Sequence, residues 1–138
     1  SMYTFVNNDI YNAIPSEIKN AIIDTTVVSG HGNTSGETNF TSTDKLYLLS
    51  TAEVWANGQS YDTARDNTRQ LDYYKNSGVA TNNYSGAIKK NGTSASSWWL
   101  RSAASTADAN FYSVDSNGSY YNPSANYPSG AAPAFRLG

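Results

Sequence analysis

No cysteine occurs in this 138-residue chain. That excludes disulfide staples, zinc–thiolate sites, thiol catalysis and Cys-ligated iron–sulfur clusters. A chain this long can bury a core without staples. Histidine is nearly absent too: His31 sits alone between Gly30 and Gly32, with no second imidazole to help hold a metal. Charge is scarce, at 14% of residues against about 25% in ordinary domains. Nine Lys and Arg against eleven Asp and Glu leave a net charge of −2, and no basic patch points to nucleic acid. No apolar run approaches the roughly 18 residues of a membrane span, so direct membrane insertion is not expected. Phosphate-binding and dinucleotide loops, a nucleophile elbow and a calcium-binding EF-hand loop are all missing. No cofactor and no metal is expected.

The carboxylates are scattered. A glycan hydrolase would need two of them about 5–10 Å apart across a cleft, and no pair announces itself. Asp62 and Asp66 interleave with Arg65 and Arg69, which predicts a charged network on a helix surface. The chain is therefore expected not to be an enzyme.

What is abundant is neutral polarity. Sixteen Asn, nineteen Ser and thirteen Thr are joined by eleven Tyr and three Trp. Low charge with much Tyr, Ser, Asn and Gly is the composition of antibody-like contact surfaces. It also fits a β-rich extracellular bacterial protein with a neutral surface.

The spacing predicts helix over 7–23, interrupted at Pro15, and a β-branched strand over 25–28. Residues 29–43 read as loop and 45–49 as a short apolar strand. Ser50-Thr-Ala-Glu53 is a capping box that should start a short helix, ended by Asn57-Gly58. A helix is expected within 64–74, a strand over 87–90 and a turn at Asn91-Gly92. Trp98-Trp99-Leu100-Arg101 reads as a buried strand, 111–115 as another, Asn117-Gly118 as a hairpin turn and 133–137 as a last strand. Short helices, short strands and long loops give an α+β class.

Residues 97–138 carry the functional signal. Ser97-Trp-Trp-Leu-Arg-Ser102 and Gly130-Ala-Ala-Pro-Ala-Phe-Arg-Leu137 form a frame of strand-like residues. Arg101 and Arg136 can pair with buried acceptors or lay their stems along apolar surface. Between the frame ends lies a stretch of Ala, Ser, Thr, Asp, Asn and Tyr. Neighbouring strand residues point to opposite faces, so one of Trp98 and Trp99 is core. The other is packed as well, or a sugar platform. Alternation puts Tyr112 and Val114 inward. Phe111, Ser113 and Asp115 fall on the other face, as a ligand surface.

The Trp98–Ser102 run, Phe111-Tyr112-Ser113-Val114, Gly118 and the Gly130…Pro133-Ala134…Leu137 ending resemble a family of bacterial and phage surface domains of unknown function. Ile10-Tyr11-Asn12, Thr43–Ser50 and Ala52-Glu53-Val54 extend the likeness over nearly the whole chain. That family is related to the C-type-lectin-like fold of formylglycine-generating enzymes and of the variable proteins of diversity-generating retroelements. In those variable proteins, adenine-directed mutagenesis diversifies a C-terminal region. The resemblance implies one C-type-lectin-like domain over 1–138, trimmed at its N-terminus, with a variable ligand-binding region at 97–138. Ser1-Met2 reads as a junction before an internal start. The implied contact residues are Thr106, Asp108, Asn110, Phe111, Ser113, Asp115, Tyr120, Tyr121, Asn122, Asn126 and Tyr127. Of these, Tyr120, Tyr121, Asn126 and Tyr127 are expected to share one solvent-facing surface. The catalytic cysteines of the enzyme relatives are absent here, so their activity is not implied. The calcium and sugar motifs of animal lectins are absent too.

The implied role is a non-enzymatic adhesin or receptor-binding module. It would act outside the cell, on a bacterial surface or phage particle, and meet a protein or glycan receptor, alone or as an oligomer. A structural or assembly domain of a surface or tail protein is the alternative.

Overall fold

A computed structural model describes residues 1–138. Its class is mixed α and β, with short helices, short antiparallel strands and open sheets. The chain opens with a continuous helical stretch. It consists of α1 (Met2–Thr4), a π-wound middle (Phe5–Ile10) and α2 (Tyr11–Ala13). The Ser1 hydroxyl caps it by accepting from the Thr4 amide. Pro15 stops it, because the residue before a proline is pushed out of the helical region, and Ile14 is extended. One turn follows, α3 (Ser16–Lys19).

Next come β1 (Ile22–Ile23) and β2 (Thr25–Ser29), the latter paired antiparallel with β3 (Phe40–Asp44). Residues 40–43 were expected to be loop, yet Thr and Phe suit a pleated ladder and β2 supplies the partner. The apolar run 45–49 is not a strand. It is threaded between two cores, with Leu46 and Leu48 packed one way and Leu49 the other. Its only ladder contact is the bridge between Tyr47 and Ala134.

The capping box is formed as expected. The Ser50 hydroxyl accepts from the Glu53 amide, and the Glu53 carboxylate accepts from the Ser50 amide at 3.0 Å. It starts α4 (Thr51–Val54), which is buried at every position. The helix expected within 64–74 is reduced to a 3-10 turn, Arg65–Asn67, and α5 (Asp72–Asn76). A weak apolar face gave it little to bury.

A hairpin of β4 (Lys89–Asn91) and β5 (Ser94–Ser96) leads to the main sheet. That sheet runs β6 (Trp98–Ala103), β7 (Phe111–Val114), β8 (Tyr120–Tyr121), all antiparallel. The last strand, β9 (Arg136–Leu137), returns to pair with β1.

Trp98 and Trp99 explain how two cores coexist. Trp98 packs with Leu49, Val54, Trp55, Leu100, Tyr112 and Val114. Trp99 packs with Val6, Ile22, Leu46 and Leu48. Both indoles are buried, at 2% and 7% exposure, so β6 is the wall between the cores and neither ring is a free sugar platform.

Gly118 closes the β7–β8 turn with φ +85°. A methyl there would meet the Tyr84 carbonyl oxygen at 2.0 Å. Gly92, in the β4–β5 turn, has φ +65° but open space around it. Gly118→Ala is expected to cost more than about 2 kcal/mol, from left-handed strain plus a backbone clash. Gly92→Ala should cost about 1 kcal/mol, from strain alone. Urea unfolding of the two variants measures the difference.

Burial pushes the Tyr74 phenol up to about 12, with Tyr73 and Glu53 adding to it. A folded-state pKa above the unfolded value of 10.0 means the native state holds the proton longer. Tyr74 therefore contributes stability that is present below pH 10 and lost between pH 10 and about 12. Tyr74→Phe should flatten the stability–pH curve in that window, read by denaturant melts at stepped pH.

Candidate binding face

The frame expected from the sequence closes on itself. The Trp99 amide donates to the Gly130 carbonyl, and the Gly130 amide to the Ser97 carbonyl, both at 2.9 Å. The Ser97 and Ser129 hydroxyls bond each other at 2.9 Å. The polar segment between the frame ends is thus held at both feet.

Behind β6 lies a buried polar network. Arg101 pairs with Glu53, and both side chains are almost fully enclosed. The guanidinium also donates to the Leu48 carbonyl at 2.8 Å and the Val28 carbonyl at 3.2 Å. It lies over the ring of Tyr47. Burial raises the Tyr47 phenol, Glu53 raises it further, and Arg101 and Arg136 pull it back. The sequence-level expectation that Arg101 finds buried acceptors holds here.

Asp62 corrects another expectation. It is not on a charged helix surface but is 1% exposed. Its carboxylate accepts from the Thr51 hydroxyl at 2.6 Å, from the Ser102 hydroxyl and from the Ala64 amide at 3.0 Å. No helix spans 62–66, so the i,i+4 logic had no scaffold. Arg65 only approaches Asp66, at 3.9 Å, and Arg69 turns to Asp72.

Strand register sorts the expected contact residues. Trp98, Val114 and Tyr120 are cross-strand partners on one face, and Trp99, Ser113 and Tyr121 on the other. Phe111 shares the second face by alternation and is 37% exposed. Tyr121 meets Tyr127 edge to face, with ring centroids 5.6 Å apart, and both are exposed. Asn126 is exposed beside Tyr127. The structure therefore brings Phe111, Tyr121, Tyr127 and Asn126 to the Trp99 side of the sheet and its flank.

Other residues fall elsewhere. Tyr120 does not join Tyr121, Asn126 and Tyr127. It is next to Tyr121 in a strand, so the pleat turns it over, against Trp55, Tyr84 and Tyr112. Ser113 has no exposed surface, so it cannot meet a ligand. It lies under the strand pair, its hydroxyl 3.5 Å from the Tyr121 carbonyl. Asp115 is half-buried and spends an oxygen on the Ser116 amide in the hairpin turn. Asn110 and Asn122 are half-buried and bond each other, Asn110 Nδ2 donating to the Asn122 carbonyl. Thr106 and Asp108 are exposed on the loop before β7, where Asp108 accepts from Asn33 at 3.0 Å.

Tyr112 is buried, as alternation predicted, and burial raises its phenol most, against a lowering hydrogen bond from the Tyr61 backbone. Residues that sequence reasoning missed line an open groove next to the same face: Tyr3, Phe40, Asp44 and Tyr47. No local signal marked them: Phe40 and Asp44 sat in a Ser/Thr-rich stretch read as loop, and Tyr3 and Tyr47 reach the groove only through the fold.

The family model described as "Domain of unknown function (DUF6273)" matches residues 1–138. The chain belongs to that family. No curated protein matches the chain, and no solved structure does.

Breaking a buried ion pair leaves an uncompensated charge, which costs about 3–5 kcal/mol. Arg101→Met should lower stability by that order. Arg69→Met, which removes an exposed pair with Asp72, should cost less than about 1 kcal/mol. Thermal and urea melts of both variants check the contrast.

Proposed function

We propose that this chain is a non-enzymatic ligand-binding module, an adhesin or receptor-binding domain, with a C-type-lectin-like fold. It acts extracellularly, on a bacterial surface or phage particle, and its partner is a protein or glycan receptor. The C-terminal region varies between copies while its frame stays constant. The observation that carries this reading is the division of labour within 97–138. Trp98, Trp99, Leu100, Tyr112 and Val114 are buried, whereas Thr106, Asp108, Phe111, Tyr121, Asn126 and Tyr127 are exposed. Exposed Tyr and Asn on a rigid frame give contact area at low entropy cost and adaptable hydrogen bonds. Their residue types are also those that adenine-directed change of Asn and Tyr codons produces. Ser113 and Asp115 have smaller parts in this reading than the sequence assigned them, and Tyr120, exposed but on the opposite face of the sheet, lies outside the Tyr121–Tyr127 patch.

The decisive test is the DNA around the gene. A near-copy of the codons for 97–138 is expected beside a reverse transcriptase, differing only where the copy carries adenine. The differences should fall on exposed positions and spare the buried frame. A clean absence of such a copy overturns diversification and leaves the fixed structural or assembly domain.

Tolerance to change gives a second check. Tyr121→Ala and Tyr127→Ala should each cost less than about 1 kcal/mol, as exposed substitutions do. Tyr112→Ala should cost about 3–5 kcal/mol, as core truncations do. Equal losses in all three would remove the tyrosine pair from any variable surface.

A further inference from the structure

A groove of about 310 Å³ runs between the N-terminal helical stretch, β3 and the Trp99 face of β6 and β7. Tyr3, Phe40 and Phe111 stand at its mouth, 62%, 58% and 37% exposed. Trp99 and Tyr47 line it deeper, and Asp44 enters from the end of β3. None of Tyr3, Phe40 or Phe111 is stacked on another ring. Their faces are not used up by one another.

Asp44 is the unusual member. It is 7% exposed, and a carboxylate so enclosed is costly unless a cation or several donors compensate it. It has one side-chain donor, the Ser42 hydroxyl, at 2.7 Å from Oδ2. Its other oxygen, Oδ1, accepts from no protein group. No basic group pairs with it. Lys45, the next residue, turns to Asp24 at 2.9 Å and to the Ile22 carbonyl. Arg101 also reaches the groove, but Glu53 and the Leu48 and Val28 carbonyls occupy it. Arg101 and Glu53 cancel, so Asp44 leaves the groove with one net negative charge.

Asn7 is engaged within the protein as Arg101 is. Asn7 accepts from the Leu46 amide and donates to the Tyr3 carbonyl. An ordinary ammonium brings three N–H donors that each want an acceptor, and the lining of the groove is mostly apolar. A quaternary ammonium has no N–H to satisfy. It needs a counter-charge and aromatic faces, and both are here. The geometry points to a binding site for an organic cation of the trimethylalkylammonium type. Asp44 is its counter-ion, the rings of Tyr3, Phe40 and Phe111 form its walls, and the edge of the buried Trp99 lies at its base. The site does not depend on diversification of the C-terminal segment: of the exposed contact residues proposed there it shares only Phe111, its other contributions from 97–138 being Trp99, Leu100, Arg101 and Ala125.

The test is calorimetric titration of the whole chain with choline chloride and, in parallel, with 3,3-dimethylbutan-1-ol, its uncharged counterpart of the same shape. Choline should bind saturably. The neutral compound should bind about tenfold more weakly or worse. Asp44→Asn keeps the shape and a Ser42 acceptor, and should lose about tenfold in choline affinity. Phe40→Ala removes a largely exposed ring, so folding is not at stake, and should weaken choline binding severalfold. Equal affinity for the two compounds overturns the proposal, as does choline binding untouched by both variants. So does the absence of saturable choline binding up to about 10 mM. None of these outcomes bears on the codon comparison that tests the variable surface.

Discussion

The buried pair of Arg101 and Glu53 joins parts of the chain that are far apart in sequence. Glu53 is the second half of the Ser50 capping box, so its carboxylate is already aimed by a local motif. Arg101 comes from the middle of β6. Through one guanidinium it reaches β2 at Val28, the apolar run at Leu48 and α4 at Glu53. Enclosed charges are expensive unless geometry and further hydrogen bonds satisfy them, so once buried this pair tolerates few arrangements. Asp62 repeats the principle next door, binding α4 to β6 through the Thr51 and Ser102 hydroxyls. In a chain with so little charge, two enclosed carboxylates in one place set the relation between the helix and the main sheet.

That relation gives β6 its position as a wall. A pleated strand sends alternate side chains to opposite faces, and here each face meets a separate apolar cluster. Trp98 and Trp99 are the two anchors. The sheet is thereby fixed from both sides, and the central strand β7 and the edge strand β8 inherit that rigidity through ladder pairing. A segment poor in core residues can then vary without loosening the frame. The Gly130 segment completes the support by pairing alongside Trp98.

The two functional readings use this architecture differently. The exposed Tyr121–Tyr127 pair and Asn126 form a shallow contact surface, suited to a large partner. The groove beside it is concave and aromatic with one carboxylate in its lining, which is what the cation reading uses. Phe111 stands between them. The same face of one sheet therefore presents a flat polar-aromatic patch and an apolar cleft, held by the same anchors.

Much of this was legible from residue order alone. The capping box at Ser50 and Glu53, the strand at Trp98, the turn at Asn117-Gly118 and the inward Tyr112 and Val114 each rest on local geometry. So does the α+β class. The split of Tyr120 from Tyr121 follows from the pleat and was lost only because composition, rather than alternation, grouped the tyrosines. Burial of Ser113, enclosure of Asp62 and the ladder at 40–44 were not legible. A serine or aspartate is small and polar wherever it stands, and whether it meets water or three donors depends on what the chain folds over it. The sequence by itself determined the local turns, caps and strand faces, because those depend on neighbours a few residues away. Only the tertiary structure decided which polar groups were enclosed and which aromatic rings were left facing a common space. Enclosure is a property of distant segments meeting, and no short stretch of sequence carries it.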